Sequence, residues 1–270
     1  MWEALQFDFM RHALAAGVLI SISCGIIGVL VVVNRIAMIS GGIAHAAYGG
    51  IGLAVFLGIA PFIGATAFAV FIGLAMGWVS LRRKHRSDAV IGALWAIGMA
   101  VGVLFIDLSP GYNVDLMSYL FGSILAVGKG ELWFMLLIDV FVVATAILFY
   151  KELLAMSYDE EFSVVIGVPV RVLYFLLLTL TSFTVVMLIR VVGLILVIAL
   201  LTIPPYISEQ YTDSLGKMMA LSILLSIFFI TLGLWLSYTF NLSSGASIIV
   251  VSGAAFFLSQ ALHITTKEAH

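Results

Sequence analysis

The sequence predicts an all-α, polytopic membrane protein with eight or nine transmembrane helices, and its composition is the first reason. Of the 270 residues, 63% are apolar, whereas Lys and Arg together number only 12 and Asp and Glu only 14. Roughly a quarter of an ordinary soluble domain is charged, so this chain lacks a charged surface shell. Because a span needs roughly 20 apolar residues, the apolar content fills eight or nine spans. A soluble enzyme, a nucleic-acid-binding protein and a disordered chain are therefore disfavoured, and residues 1–270 are expected to form one membrane domain.

Continuous apolar segments are the second reason. They do not alternate with polar residues, as the strands of a membrane β-barrel would. Charged residues bound the predicted spans, which are 12–33, 36–58, 61–81, 89–108, 131–150, 172–189, 191–208, 218–240 and 246–262. A shorter apolar piece, 116–128, predicts a re-entrant or interfacial helix. The amino terminus lacks the basic region of a cleavable signal, so the first span is expected to remain in the mature protein.

Lys and Arg predict the orientation of these spans, because cytoplasmic loops are enriched in both. Alternating the loops across the membrane gathers most of them on one side: Arg35, Arg82, Arg83, Lys84, Arg86, Lys151, Arg171, Lys217 and Lys267. Only Arg11, Lys129 and Arg190 fall on the other side. We therefore expect the amino terminus outside the cell and the carboxyl terminus in the cytoplasm.

The side predicted to be external is modestly acidic. Asp107 and Asp115 flank a loop rich in turn-forming residues, and an acidic entrance attracts cations. On this interpretation the two carboxylates are candidate metal ligands at the entrance. An ordinary solvated rim carries similar acids, and Asp115 is also placed to cap the helix predicted at 116–128. Both interpretations stay open.

The second span is unusually rich in glycine. Its central residues, 40–52, include Gly41, Gly42, Gly49, Gly50 and Gly52. Gly42, Gly49 and Gly50 fall near one helical face, where small residues allow another helix to approach closely. This pattern predicts a tightly packed helix inside the bundle, beside the transport route if there is one.

His45 lies in the middle of this glycine-rich span. An ionisable side chain at membrane depth is a candidate functional group, and imidazole is a common ligand of zinc and related metals. A neutral histidine bonded to a nearby carbonyl is the alternative. Cys24 is expected at a similar depth on the preceding span, and a Cys/His pair would suit zinc. A buried cysteine can equally be a small apolar residue.

Two further features break the usual rules for membrane segments. Asp139 lies within the fifth span, so its carboxylate must face the bundle interior, either in a structural role or along a route. Pro204 and Pro205 remove two backbone donors in the seventh span, which predicts a helix end or bend beside such a route. Glu209 follows them at the predicted cytoplasmic mouth.

The cytoplasmic loop 151–171 contains the signals of a short helix. Ser157 and Glu160 have the spacing of a capping box, and Gly167 and Pro169 supply a stop. A helix of about nine residues is therefore predicted between Ser157 and Gly167.

This short helix has the composition of a docking element. Asp159, Glu160 and Glu161 suit its first turn because acids favour the positive end of the helix dipole. Phe162 and its apolar neighbours are then exposed on the cytoplasmic face. Docking of a partner protein explains such a helix better than a simple connection does.

Motifs for ATP hydrolysis and covalent catalysis are missing from the sequence. It has no Walker A pattern, no nucleophile elbow and no HExxH motif. Any ATP chemistry is therefore expected in another subunit, and the chain itself is expected to be neither an enzyme nor the carrier of a covalently bound cofactor.

Taken together, these motifs resemble the membrane permease subunit of ABC importers for zinc and manganese. The match runs over nearly the whole chain. Its strongest parts are segment 40–52, with its glycines and His45, and segment 111–125, which includes Asp-Leu-Met-Ser-Tyr-Leu-Phe-Gly at 115–122. Segments 159–162 and 167–169 resemble the family's coupling helix, and 192–204 resembles one of its late spans.

The resemblance implies a homodimer of permeases, two ATPase subunits on the cytoplasmic face and an external metal-binding protein. Metal released by that protein would cross between the permeases while ATP binding and hydrolysis switch the route. His45 matches the histidine that the family places in its pathway. Many relatives carry an aspartate where this chain has Gly41. The loss of that oxygen ligand favours zinc as the transported ion over manganese or iron.

Two other functional classes remain as alternatives. A secondary transporter would carry its own coupling-ion site, but buried ionisable residues are few and no inverted repeat is visible. An intramembrane enzyme would need a catalytic set at membrane depth. Cys24, His45 and Asp139 form no recognisable set of that kind.

Overall fold

The computed structural model describes residues 6–82, 87–109 and 120–268, and these residues form helices and turns without a strand. The helices are α1 (Asp8–Val33), α2 (Ala37–Phe56), α3 (Pro61–Arg82), α4 (Ser87–Asp107), α5 (Lys129–Leu148), α6 (Tyr150–Tyr158), α7 (Glu160–Val165), α8 (Val170–Val192), α9 (Val197–Tyr211), α10 (Leu215–Phe240) and α11 (Ser244–Glu268). Short 3-10 turns lie at Ile124–Ala126 and Leu194–Leu196. The all-α fold class is confirmed.

Eight helices of the described part are long and apolar enough to cross a bilayer. They are α1, α2, α3, α4, α5, α8, α10 and α11. Each corresponds to one of the predicted spans, so the polytopic architecture is confirmed. We call the end of the bundle that carries Arg190 the Arg190 end, and the opposite end the Arg82 end.

The span predicted at 191–208 is shorter in the structure. Helix α8 continues to Val192, the helix breaks at Gly193, and α9 has only 15 residues. At 1.5 Å per residue α9 is roughly 22 Å long, less than the roughly 30 Å of bilayer hydrocarbon. It still returns the chain to the Arg82 end, where the Gly216 N–H donates to the Tyr150 hydroxyl at 3.0 Å.

The prolines of α9 lie inside that helix, and the predicted helix end at this point is wrong. Helix α9 continues through Pro204 and Pro205 to Tyr211. Pro205 leaves the Leu201 carbonyl without its usual donor, and that carbonyl lies against Gly28 of α1, where the missing Cβ leaves room for it. Contact with a neighbouring helix therefore allows the helix to continue.

At the Arg190 end, two non-helical segments of the backbone contact each other at a pair of glycines. Gly122 and Gly193 have φ of +63° and +85°, a region that favours glycine. A Cβ on Gly122 would lie 2.6 Å from the carbonyl carbon of Val192, and the Ser123 N–H donates to the Arg190 carbonyl at 3.1 Å. Of the segment predicted as a re-entrant helix, the described residues are helical at 120–121, bond to α8 at Ser123 and form the 3-10 turn Ile124–Ala126. Its first residues, 116–119, lie outside the described residues.

Helix α2 packs between α3 and α4, and α1 packs with α5, α9 and α10. Helix α8 contacts both groups. Glycines on α2 lie against backbone carbonyl groups of its neighbours, in the pairs Gly49–Gly98, Gly50–Gly64 and Gly52–Gly102. Because no Cβ separates the backbones, the three helices approach more closely than larger side chains would allow.

The predicted docking loop forms two short helices, α6 and α7. Asp159 is the N-cap of α7, since its Oδ1 accepts a hydrogen bond from the Phe162 N–H at 2.9 Å. The predicted capping role of Ser157 is wrong because Ser157 lies within α6, where its hydroxyl accepts a hydrogen bond at 3.0 Å from Nδ2 of Asn34 in the α1–α2 turn. Gly167, with φ of +87°, lies just beyond the end of α7, as the sequence predicts.

Candidate functional site

His45 is held in a defined orientation on α2. Its ring stacks on the indole of Trp95 from α4, with centroids 4.1 Å apart and planes 15° apart. Its Nδ1 is buried and has no hydrogen-bond partner among the described residues. The side chain as a whole is half-buried. The structure therefore does not support the alternative in which Nδ1 is bonded to a nearby carbonyl.

An unpartnered imidazole nitrogen has a defined chemical capacity. In one tautomer Nδ1 carries a lone pair that can bind a metal ion or accept a hydrogen bond from a water. Stacking on Trp95 restricts rotation of the ring, so the lone pair keeps one direction. This arrangement suits transient binding of a cation, because the imidazole ring needs little reorientation when the ion binds.

Gly41 lies one helical turn before His45, and the space beside it is occupied. A Cβ on Gly41 would lie 2.8 Å from Cγ1 of Ile198, on α9. An aspartate at this position would therefore require Ile198 to move. The carboxylate–histidine arrangement implied for relatives is replaced here by an apolar contact between α2 and α9.

Gly42 belongs to a second apolar contact of the same turn. A Cβ there would lie 2.9 Å from Cγ2 of Ile91 and 3.0 Å from Sδ of Met76. Gly42 thus packs against α3 and α4, on the side where Gly49 and Gly50 also meet those helices. The close packing of these glycines places His45 at the contact between α2 and α4, beside Trp95.

Cys24 and Asp139 lie in the other part of the bundle, with α1 and α5. Cys24 is fully buried and within electrostatic range of Asp139. The Asp139 side chain is only 4% exposed, and its Oδ1 accepts a hydrogen bond from the Ser23 hydroxyl. Within the described residues, no group of three or more His, Cys, Asp or Glu side chains is arranged to hold a metal ion.

The Ser23–Asp139 bond predicts a measurable contribution to stability. Ser23→Ala would leave a buried carboxylate without its donor, and we expect the free energy of unfolding to fall by about 1–3 kcal/mol. The double variant Ser23→Ala/Asp139→Ala should lose less than the sum of the single variants, since the two residues act as a pair. Thermal unfolding in detergent measures this effect.

Ser21→Ala is a matched control for that experiment. Ser21 is equally buried on α1, but its hydroxyl bonds to the Gly17 carbonyl of its own helix at 2.6 Å. Its removal should cost clearly less than the loss of Ser23. Equal losses for the two variants would contradict a specific role of the bond between α1 and α5.

Asp107 on α4 and Tyr48 on α2 interact electrostatically. Asp107 ends α4, its side chain is exposed, and its carboxylate is within electrostatic range of the buried Tyr48 hydroxyl. Tyr48 lies three residues beyond His45 on α2. The structure therefore places Asp107 towards the helix that carries His45, whereas Asp115 lies outside the described residues.

At the Arg190 end, an ion pair joins α5 to α8. The Arg190 Nε donates to Glu131 Oε1 at 2.5 Å, and Glu131 Oε2 accepts from the Gly128 N–H at 2.9 Å. Glu131 therefore both caps α5 and anchors α8.

The predicted docking helix exposes the side chains named for that role. Phe162 is 59% exposed and Val165 is 82% exposed, while Ser163 is buried beneath them. Glu160 and Glu161 form the exposed first turn of α7. Glu209 is exposed in the last turn of α9, so it also lies at the Arg82 end.

Trp95 is the site residue that sequence reasoning missed. It lies in the middle of α4, whereas tryptophans of membrane proteins are enriched at the interfaces with water. A tryptophan in the middle of a span therefore indicates that its ring contacts a specific side chain within the bundle. Which partner it has depends on the packing of α2 against α4, and no spacing within the sequence encodes that.

Comparison with known proteins gives consistent matches over the whole length. The model of the "ABC 3 transport family" matches residues 6–263. An uncharacterized membrane protein of Synechocystis sp. is 48% identical over 261 residues, covering 97% of this chain and 93% of that protein. The "Manganese transport system membrane protein MntC" of Halalkalibacterium halodurans is 34% identical over 257 residues, covering 95% and 88%.

A solved structure has the same fold. It is described as "PsaBC from Streptococcus pneumoniae in complex with Fab", and it matches with a TM-score of 0.85 and 29% identity, covering 95% of this chain and 93% of that chain. The family model, the relatives and the fold agree over the same residues. This chain belongs to the ABC 3 transport family.

Proposed function

We propose that this chain is the membrane permease of an ATP-driven importer for a divalent transition-metal cation. Two copies would form the translocation route, two ATPase subunits would bind at the Arg82 end, and an external binding protein would deliver the metal at the Arg190 end. In this orientation the amino terminus is outside and the carboxyl terminus is cytoplasmic, as the distribution of Lys and Arg favours.

The observation that carries the metal assignment is the unpartnered Nδ1 of His45. It lies on the glycine-rich helix of a membrane bundle, where an unsatisfied polar atom is costly unless it has a ligand. A transition-metal ion is such a ligand, and it needs to bind only transiently. The relative from Halalkalibacterium halodurans, which is named for manganese transport, supports the same class of cargo.

Zinc and manganese are distinguished by the ligands that surround the imidazole. Gly41 provides no carboxylate and Ile198 fills the adjacent space, which favours the softer, nitrogen-binding zinc. Manganese prefers oxygen ligands, and the named relatives keep it as the alternative cargo. The proposal therefore covers both ions and ranks zinc first.

Uptake of radioactive zinc into proteoliposomes that hold the permease and its ATPase, with the binding protein outside and ATP enclosed, tests this function. We expect uptake that requires ATP and falls when unlabelled zinc is added, with weaker competition by manganese and iron. Stronger competition by manganese would reverse the ranking. Uptake that does not respond to ATP would contradict the importer and favour a secondary transporter.

The exposed face of α7 is the proposed contact with the ATPase. We expect Phe162→Ala to weaken co-purification of the ATPase with the permease and to slow transport, because the variant removes an apolar side chain from the centre of a small contact. Asp159→Ala should weaken it as well by removing the cap of α7. Quantitative pull-down of the ATPase subunit measures both effects.

Leu242→Ala is the control for these two variants. Leu242 is 58% exposed, nearly the same as Phe162, but it lies at the Arg190 end. Its substitution should leave ATPase binding unchanged. If Phe162→Ala and Asp159→Ala retain both full ATPase binding and full transport, α7 is not the contact.

A further inference from the structure

A cavity lies at the Arg82 end, on the outer surface of the bundle. It has a volume of about 720 Å³ and opens between the end of α3 and the beginning of α8. The two helices touch deeper in the membrane, where Gly77 packs against Leu178. Beyond that contact they separate, and Trp78 and Phe175 line the space between them.

Two arginines lie at the rim of this cavity. Arg82 is the last residue of α3 and Arg171 is the second residue of α8, so both lie at the ends of predicted spans, where lipid headgroups are expected. The guanidinium of Arg82 lies over the Trp78 ring, 4.1 Å from its centroid. Arg171 has no ion pair with any residue in the described ranges. The guanidinium group matches phosphate because it presents several donors in a fixed plane.

The rest of the lining is apolar apart from one acid. Val172 is 66% exposed and Trp78 is 51% exposed towards the cavity side of the bundle. Glu160 of α7 also lines the cavity, which leaves one net positive charge among its described residues. In the sequence, Arg83, Lys84 and Arg86 follow Arg82, and they lie outside the described residues.

We propose that this cavity binds an anionic phospholipid of the cytoplasmic leaflet. Its phosphate would lie between Arg82 and Arg171, and the upper part of its acyl chains would lie on Trp78 and Phe175. Anionic lipids are enriched in that leaflet, and basic pockets between transmembrane helices on that side bind their headgroups. The position of Trp78 one turn below the charges fits the interfacial preference of tryptophan.

The cavity and the proposed ATPase contact use different faces of α7. Glu160 and Val164, four residues apart, line the cavity, whereas Phe162 and Val165 point away from it into solvent. A lipid in the cavity would therefore hold α7 against α3 and α8 without covering its docking face. The inference rests on the proposed orientation of the chain and not on the transported metal.

Native mass spectrometry of the permease–ATPase complex tests this inference. The complex is released from nanodiscs of phosphatidylcholine with or without phosphatidylglycerol, and retained lipids are counted. We expect retained phosphatidylglycerol with the natural sequence. Binding should be roughly thirtyfold weaker for Arg82→Gln/Arg171→Gln, because each basic residue at an anionic surface contributes a factor of roughly five.

Two controls separate this site from other contacts. Lys151→Gln/Lys217→Gln removes two charges at the same end, away from the cavity lining, and should leave retention unchanged. Arg82→Lys/Arg171→Lys keeps the charge and should retain an intermediate amount of lipid. Equal retention of phosphatidylcholine and phosphatidylglycerol, or unchanged retention in the Gln double variant, would overturn the proposal.

One further result separates a lipid from a protein occupant. If phosphatidylglycerol is retained by the permease alone and excluded by the ATPase, the cavity is part of the protein contact and the lipid proposal is wrong. Lipid retention is measured without transport. Failure of this site therefore leaves the metal-import proposal untouched, and loss of metal uptake alone does not affect the lipid site.

Discussion

Replacing His45 by alanine is expected to reduce metal uptake by roughly tenfold or more while the permease still assembles with its partners. The variant removes the imidazole whose Nδ1 has no partner in the described structure, and it leaves Trp95 without its stacking contact. The backbone of α2 is unaffected because alanine is a good helix former. Metal uptake into proteoliposomes measures the effect, and size-exclusion chromatography of the complex measures assembly.

Two companion variants isolate the imidazole nitrogen from the aromatic ring. Trp95→Phe keeps a ring against His45 and should retain most of the uptake, whereas His45→Phe keeps the stack and removes the nitrogen. We expect His45→Phe to be as inactive as His45→Ala. His12→Ala, a partly buried histidine near the start of α1, is the control and should transport normally. Normal metal uptake by His45→Phe would reduce His45 to a packing residue.

Gly52→Ala is expected to destabilise the permease by about 3 kcal/mol or more, the largest loss of stability among the variants considered. A Cβ at this position would collide with the carbonyl group and the Cα of Gly102. These are backbone atoms of α4, so no side chain can turn away to make room. Relief requires α2 and α4 to separate, which would also loosen the contacts of Gly49 with Gly98 and of His45 with Trp95.

Gly92→Ala is the matched control on α4. A Cβ on Gly92 would meet no atom within 4 Å, and the residue lies within the helix. Alanine favours a helix by about 1 kcal/mol relative to glycine, so this variant should be neutral or slightly more stable. Thermal unfolding monitored by intrinsic fluorescence distinguishes the two. A similar melting temperature for both variants would show that the α2–α4 contact tolerates a methyl group.

The sequence alone was sufficient for the membrane architecture. Helix positions follow from continuous apolar runs and from the few charges between them, because transfer into the bilayer depends mainly on local composition. The exposed apolar face of the short helix at 160–165 was also predictable, since Gly167 and the acids of its first turn are local signals. The glycine content of α2 likewise pointed to close helix packing, but it did not identify the neighbours.

Errors in the sequence analysis arose where a distant contact decides the local structure. Pro204 and Pro205 would end an isolated helix, but Gly28 of α1 receives the freed Leu201 carbonyl and α9 continues. Ser157 has the spacing of a cap, but Asn34 engages its hydroxyl and Asp159 becomes the cap. In both cases the contacting residue is distant in the chain, Gly28 on α1 and Asn34 in the turn after it.

The order of residues was enough to predict a bundle of apolar helices, the basic end of that bundle and an ionisable His45 at membrane depth. The packing of the helices shows in addition that Trp95 orients that histidine, that Ile198 occupies the space beside Gly41, and that Asp139 pairs with Ser23, 116 residues away in the chain. This difference arises because the bilayer selects helices by their average polarity. Contacts between helices depend instead on which faces fit together, and most of those faces are equally apolar.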